Sequence, residues 1–398
     1  MKALSGVLGL ALSVLFAPQL GAGPLETSCL VGTQPAASLL LPYFEVDLGD
    51  PEGTTTLMSI GNRAESPTLA RVVLWSDWAI PVHSFDLLLP PSGMQTLNLR
   101  NVVQQGLAPV TGSETTPFGS CILPLQPAPL DEAALAELQG ALTGQPSAED
   151  GLCRGSDRGE TSRAVGYVTV DVLTDCSDTV RYPGDEGYFA DDGTGLAGYD
   201  NALYGDWFLI DSSQDLAQGE ALVSLVADPE FFEGNMSPSF YRPFSSTSRA
   251  DARVPLSSQW QTRFFKGGAF DGGTELLLWI EPIFAPEPLP CDQSPQDGII
   301  SSSFSFEVRE EDGTDVLVSP LFSFRVPLTQ RVHMEDASLP DGLTSGLLES
   351  LAFANCAVCS PPFVGYQQSW IVPLLSASDR FSVGFDAVRI DDLCVDPN

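Results

Sequence analysis

Short runs of alternating apolar and polar residues dominate the chain. Residues 54–60 alternate Thr with apolar side chains before the turn Gly61-Asn62-Arg63, and runs at 69–75, 82–89 and 94–99 follow. Ser66-Pro67, Ala79-Ile80-Pro81 and Pro90-Pro91-Ser92-Gly93 punctuate them. A period of two puts alternate side chains on a core face, and short strands separated by Pro/Gly turns predict a sandwich or barrel rather than a parallel α/β sheet. Further strands are predicted at 164–173, 207–210, 221–226, 275–279, 303–308, 316–318, 322–326, 368–372 and 381–390. The Asp312-Gly313 step predicts a hairpin turn.

One segment has a helical period instead. From Asp131 to Leu142 the apolar residues recur at helical spacing, and Asp131 and Glu132 complement the dipole of a first turn. The pattern therefore predicts an all-β fold of two β-sandwich-like (Ig-like or jelly-roll-like) domains with one short helical excursion. The first domain is expected over 23–228, with the excursion at 111–162, and the second over 229–398. The division is marked by Asp228-Pro229 and the polar run 245–252. Stretches 182–205 and 285–302 read as long loops.

The N-terminus changes the picture. Met1-Lys2, an apolar run from Ala3 to Leu20 and the small residues Gly21-Ala22-Gly23 have the layout of a secretory signal peptide over residues 1–22. The eight cysteines that remain (Cys29, Cys121, Cys153, Cys176, Cys291, Cys356, Cys359 and Cys394) then read as a disulfide framework in an exported, periplasmic, extracellular or cell-surface protein. Cys121 and Cys153 flank the helical segment, so a Cys121–Cys153 bridge is expected, with Cys153–Cys176 as the competing pairing. Cys356-Ala-Val-Cys359 has redox spacing, but no βαβ pattern surrounds it.

Charge excludes two partner classes. The 52 Asp plus Glu against 18 Lys plus Arg give a net charge of −34, which opposes binding to nucleic acid or to an anionic membrane. Lys2 and Lys266 are the only lysines, so arginine supplies nearly all of the positive charge.

Candidate chemistry is sparse. The chain has no Gly-x-Ser-x-Gly elbow and no His-Glu-x-x-His, and its two histidines are His83 and His333. The glycine-rich stretch Gly267–Gly273 lacks a following Lys-Ser/Thr. Alternation along a strand would put Glu45 and Asp47 on one face, as a nucleophile and a supporting carboxylate require. Asp191, Asp192, Thr194 and Asp200 crowd one loop and Asp47, Asp50 and Glu52 another, which offers hard oxygens to Ca²⁺. Trp75, Trp78, Trp207, Trp260, Trp279 and Trp370 could form a sugar-stacking platform. On a strand, Trp75 and Trp78 would face opposite sides, with Trp78 the exposed one.

Several segments carry a resemblance. Leu40-Leu41-Pro42-Tyr43-Phe44-Glu45-Val46-Asp47-Leu48, Leu74-Trp75-Ser76-Asp77-Trp78, Gly267-Gly268-Ala269-Phe270-Asp271-Gly272-Gly273-Thr274 and Arg380-Phe381-Ser382-Val383-Gly384-Phe385-Asp386-Ala387 together resemble a group of exported bacterial proteins of unassigned function. The resemblance implies export and transfers no site residue. The run 54–99 resembles bacterial surface Ig-like modules. Glu45-Val46-Asp47-Leu48-Gly49-Asp50 resembles the Glu-x-Asp-x-x-Glu strand of laminarinase-type glycosidases, with Asp50 where that strand carries its acid/base Glu. The expectation is an exported, non-enzymatic structural or binding protein of the bacterial cell surface, periplasm or extracellular space, whose partner is an extracellular polysaccharide or protein. It has no assigned catalytic, cofactor or metal residue. The competing expectation is a carbohydrate-active enzyme using Glu45 and Asp47.

Overall fold

A computed structural model describes residues 34–389, except for segments at 113–117, 119–120, 123–124, 126, 160, 178–179, 214–215, 234–237, 266–271, 283–284, 294–300, 310–314, 317–327, 335–343, 357–362, 378–380 and 385–387. The chain opens with β1 (Ser38–Asp47), β2 (Thr55–Asn62), β3 (Thr68–Ser76), β4 (Pro81–Leu89) and β5 (Met94–Asn98), then α1 (Leu99–Gln105) and α2 (Glu132–Thr143). β6 (Arg163–Leu173), β7 (Leu203–Asp211), β8 (Leu216–Ala221) and β9 (Val223–Leu225) follow, and α3 (Ser248–Asp251) leads onward. β10 (Gln259–Phe265), β11 (Gly273–Ile280), β12 (Ser301–Arg309), β13 (Asp315–Val316) and β14 (Thr329–His333) come next. β15 (Ser345–Cys356), β16 (Phe363–Tyr366), β17 (Ser369–Ala377), β18 (Phe381–Gly384) and β19 (Val388–Arg389) end the series.

These strands form four antiparallel sheets, in the orders β4-β3-β6-β1-β9, β5-β2-β7-β8, β14-β11-β17-β18 and β13-β12-β15-β10-β19, with β16 added beside β15. The all-β, sandwich-like class expected from the alternation is the class observed. Sheet membership divides between Leu225 and Gln259, but the cores do not follow that division. One apolar cluster joins Leu39, Val72, Val170 and Trp207 to Leu277 and Val372, and a second joins Leu40, Val73 and Tyr167 to Leu276, Trp279 and Phe306. The strands β1, β3 and β6 of this sheet are therefore buried on both faces. A strand with no wet face has no polar alternation to display, which is why β1 reads as the run Ser38-Leu39-Leu40-Leu41.

The helix expected at 131–142 is α2. Asp131 caps it by accepting from the Ala134 N–H at 2.8 Å, and Gly144 ends it in the left-handed region at φ 72°. A Cβ on Gly144 would also lie 2.2 Å from the Ser156 backbone, so only glycine fits there. The single-helix expectation needs correction, since α1 and the four-residue α3 are helical too. α1 is too short to show a period, although Asn98 before it and Gly106 after it are ordinary capping residues.

The disulfide expectation is also corrected. Cys121 pairs with Cys176 and Cys153 with Cys291, so neither Cys121–Cys153 nor Cys153–Cys176 forms. Cys153 exchanges backbone hydrogen bonds with Leu289, at 2.8 and 3.1 Å, which places Cys291 within reach across 138 residues of chain. The readings on residues 1–22, Cys29, Cys359, Cys394, the 322–326 strand and most of the 267–273 glycine run fall outside the described residues. No helix among the described residues is long and apolar enough to cross a membrane.

Two buried ionic clusters clamp the segment between the sheet groups. In the first, Asp171 on β6 accepts from the hydroxyls of Tyr188 (2.8 Å) and Tyr241 (2.9 Å) and from Ser38, while Arg253 donates to Ser38 (2.9 Å) and to the Gly198 carbonyl (2.8 Å). In the second, Glu281 accepts from Arg242 and from the backbone (2.9 Å) and side chain (2.8 Å) of Gln368. Burial raises the Glu281 pKa to about 7, although Arg242 and Gln368 lower it.

The folded chain thus holds a proton that the unfolded chain releases near pH 4.5. That contribution to stability is complete below pH 4.5 and lost as the pH rises through 7. Asp251, raised by burial to about 6, acts in the same direction at lower pH. His83 acts oppositely: burial lowers it to about 4, so its contribution is present above pH 6.5 and lost as the pH falls through 4. Stability is therefore expected to fall modestly, by less than about 1 kcal/mol, between roughly pH 6.5 and 7.5, because the Glu281 loss exceeds the opposing gain from His83. Glu281→Gln should flatten that slope, as read from urea midpoints. An unchanged slope in the variant would remove Glu281 from the account.

Candidate functional site

A polar pocket of about 490 Å³ opens where β1 and β6 meet β11 and β14. Its construction begins with an irregularity in β1. The β1–β6 register runs Leu41 opposite Val168 and then Phe44 opposite Gly166, so β1 carries one extra residue at Pro42-Tyr43. Leu39 and Leu41 face the first core before this bulge, and Phe44 and Val46 face it afterwards. The parity has switched, and Glu45 is turned away from that core into the pocket. Pro42 suits the bulge because it has no N–H to offer the ladder, and its carbonyl accepts from the Thr329 hydroxyl at 2.6 Å.

The opposite wall comes from a regular pairing. Glu275 lies across from His333, and Leu277 across from Arg331, so these four side chains share one face of the β11–β14 ladder. Arg331 Nε donates to Glu275 at 2.7 Å, and His333 Nε2 lies 2.5 Å from the same carboxylate. Burial opposes the charge on Arg331, but Glu275 outweighs it and holds its pKa above the ordinary value. Glu45 accepts from the Tyr43 hydroxyl. Burial, and then the neighbouring Glu45 charge, push the Tyr43 pKa well above its usual value.

Arg163 and Arg331 each stand 3.9 Å from one oxygen of Glu45. Arg158 enters from the loop before β6, tied to buried Asp77. Burial raises the Asp77 pKa, against the opposing pull of Arg158 and Ser156. Thr54, Val165 and Gln330 complete the lining.

The paired-carboxylate expectation is only half met. Glu45 is buried and lines the pocket. Asp47 ends β1 and accepts from the Gly49 (2.8 Å) and Asp50 (3.0 Å) N–H groups, serving the turn instead. A nucleophile and supporting carboxylate on one face is therefore not assembled from Glu45 and Asp47.

The tryptophan platform is likewise corrected. Trp75, Trp78, Trp207, Trp260 and Trp279 are buried, Trp370 is half-buried, and none lines the pocket. Trp78 escapes the alternation argument because β3 ends at Ser76. A turn with Ala79 at φ 60° then swings Trp78 inward, where its indole donates to Ser156 at 2.9 Å.

The acidic loops considered for Ca²⁺ also spend their carboxylates locally. Asp192 accepts from the Thr194 N–H at 3.0 Å, Asp191 from the Thr247 hydroxyl at 2.6 Å, and Asp50 from the Glu52 N–H at 2.9 Å. Among the described residues, no three His, Cys, Asp or Glu side chains gather as a metal-binding group.

No protein-family model matches the chain, and no curated protein matches it. A solved structure with some similarity is a lectin from Pleurotus ostreatus in complex with GalNAc, at 10% identity, with 93% of this chain and 82% of that chain covered. Its TM-score of 0.15 is too low to carry an argument about fold or ligand.

Proposed function

We propose that this is an exported binding protein, not an enzyme, and that the β1/β6/β11/β14 pocket is its ligand site. One observation carries the reading: several of the pocket's charged side chains are held in place by protein partners before any ligand arrives. Glu275 holds Arg331, Tyr43 holds Glu45 and Asp77 holds Arg158. Such prior fixing lowers the ordering cost of binding and suits recognition. The two interleaved disulfides support an oxidising compartment, in keeping with the signal-peptide pattern at 1–22 and with the bacterial surface, periplasm or extracellular space. An extracellular polysaccharide or protein segment is the partner class this setting presents.

A thermal-shift screen of the full chain against polar metabolites, amino acids, saccharides and carboxylates tests the reading. A ligand present at a hundredfold excess over its Kd should add about 2.7 kcal/mol of stability. Arg331→Ala should abolish the shift, and the ligand should be recovered chemically unchanged. Conversion of the ligand with time, or shifts that survive Arg331→Ala, would overturn it.

A further inference from the structure

We infer that the pocket takes a vicinal diol of an uncharged saccharide. The inference rests on the binding-protein reading above and adds the class of ligand. Glu45 presents two carboxylate oxygens, each facing a different guanidinium: Oε1 lies 3.9 Å from Arg163 Nη1, and Oε2 lies 3.9 Å from Arg331 Nη1. Both spans exceed the roughly 2.7–3.2 Å of an N–H···O bond. An oxygen about 2.8 Å from each end closes such a span.

The chemistry of that oxygen is constrained. It must donate to the carboxylate and accept from the guanidinium. A hydroxyl does both, whereas an ammonium can only donate and an ionised carboxylate can only accept. Water meets both requirements too, so a ligand that displaces it from both spans must bring two hydroxyls side by side, as on adjacent carbons of a sugar ring.

Charge selects among diols. Apart from His333, which stands against Glu275, the charged groups match three to three: Glu45, Glu275 and Asp77 (behind the lining, on Arg158) against Arg158, Arg163 and Arg331, and the two glutamates are each only 4% exposed. A charged ligand would leave one uncompensated charge in this recess, while an uncharged one keeps the balance. Gln330 adds an amide that can both donate and accept, and a volume of about 490 Å³ falls in the range of small-ligand sites. Among the described residues the lining has no Phe or Trp, the Tyr43 hydroxyl is bonded to Glu45 and the His333 ring stands against Glu275, so hydrogen bonds rather than stacking set the selectivity.

The test is a glycan array probed with the full chain, before and after periodate oxidation and borohydride reduction of the printed glycans. Periodate cleaves the carbon–carbon bond between adjacent hydroxyls. Retention is expected on glycans ending in neutral sugars with an intact vicinal diol, and should drop at least tenfold after oxidation. Glu45→Gln should lower retention by a similar factor, and the periodate arm answers the question even where that variant folds poorly. Retention that survives oxidation, or is confined to acidic glycans, would overturn the diol while leaving a binding protein in place. No retention on any glycan would also overturn it. The metabolite screen then decides separately whether the pocket binds anything.

Discussion

Replacing Arg253 with Met should lower the unfolding free energy by about 3–5 kcal/mol, among the largest single-residue effects expected in this chain. Arg253 has no exposed surface, and neither do Asp171 and Ser38. Its guanidinium is the positive member of a buried cluster that also holds Asp251. It stands 4.0 Å from Asp171 and is linked to it through Ser38, and it lies over the Phe189 ring at 5.4 Å. Methionine would fill much of the volume, but it would strand the Gly198 and Asp251 carbonyls and leave the Asp171 charge without its counter-charge. Removing one partner of a buried pair costs more than the pair itself contributes. The double variant Asp171→Asn/Arg253→Met should therefore recover part of the loss. Urea unfolding of the single and double variants reads this directly, and equal midpoints for Arg253→Met and the unaltered chain would refute the clamp.

The second large effect belongs to the Cys153–Cys291 bridge. It closes a loop with a sequence separation of 138 residues. The overlapping Cys121–Cys176 bridge gives no shorter path between its ends: through Cys121 the route is 32 residues back and 115 forward, or 147. Chain-entropy reasoning assigns closure of a loop near that length about 4–5 kcal/mol, and measured native bridges span roughly 2–5 kcal/mol. Cys153→Ser/Cys291→Ser should destabilise the chain by that order, and the Cys153–Leu289 backbone pair should lose its hydrogen-exchange protection. A non-reducing digest should yield Cys121–Cys176 and Cys153–Cys291 peptides. A Cys121–Cys153 peptide would reinstate the pairing that the helix-flanking positions suggested.

The sequence displayed those strands whose polar rhythm or β-branched runs stand between turn residues. β2, β4 and β6 alternate or carry strand-forming runs between turn residues, and α2 shows its period and both of its caps. What it hid, it hid for physical reasons. β1 is buried on both faces and so has no polar rhythm. β15, Ser345 to Cys356, spaces its apolar residues irregularly and was not legible as a strand. Cys153 and Cys291 become neighbours only because Leu289 pairs with Cys153, a contact that nothing local announces.

The candidate site was half legible. Glu45 stood out as an acid on a strand and His333 as one of two histidines. The bulge at Pro42-Tyr43 decides which way Glu45 points, and alternation cannot register an inserted residue. Arg158, Arg163, Glu275 and Arg331 were missed, because residues more than a hundred positions apart meet only once the β11–β14 ladder lies against β1 and β6. The available clue was scarcity: in a chain with 52 acids and 18 basic residues, an arginine beside an apolar strand is an uncommon event.

The claim that the β1/β6/β11/β14 pocket is the binding site is tested most directly by hydrogen exchange of the full chain, with and without a ligand from the thermal-shift screen. Slowed exchange is expected at residues 43–46, 163–165, 275–277 and 330–333 together, because two ladders far apart in sequence form one recess. Protection confined to other segments, with these four unchanged, would contradict it.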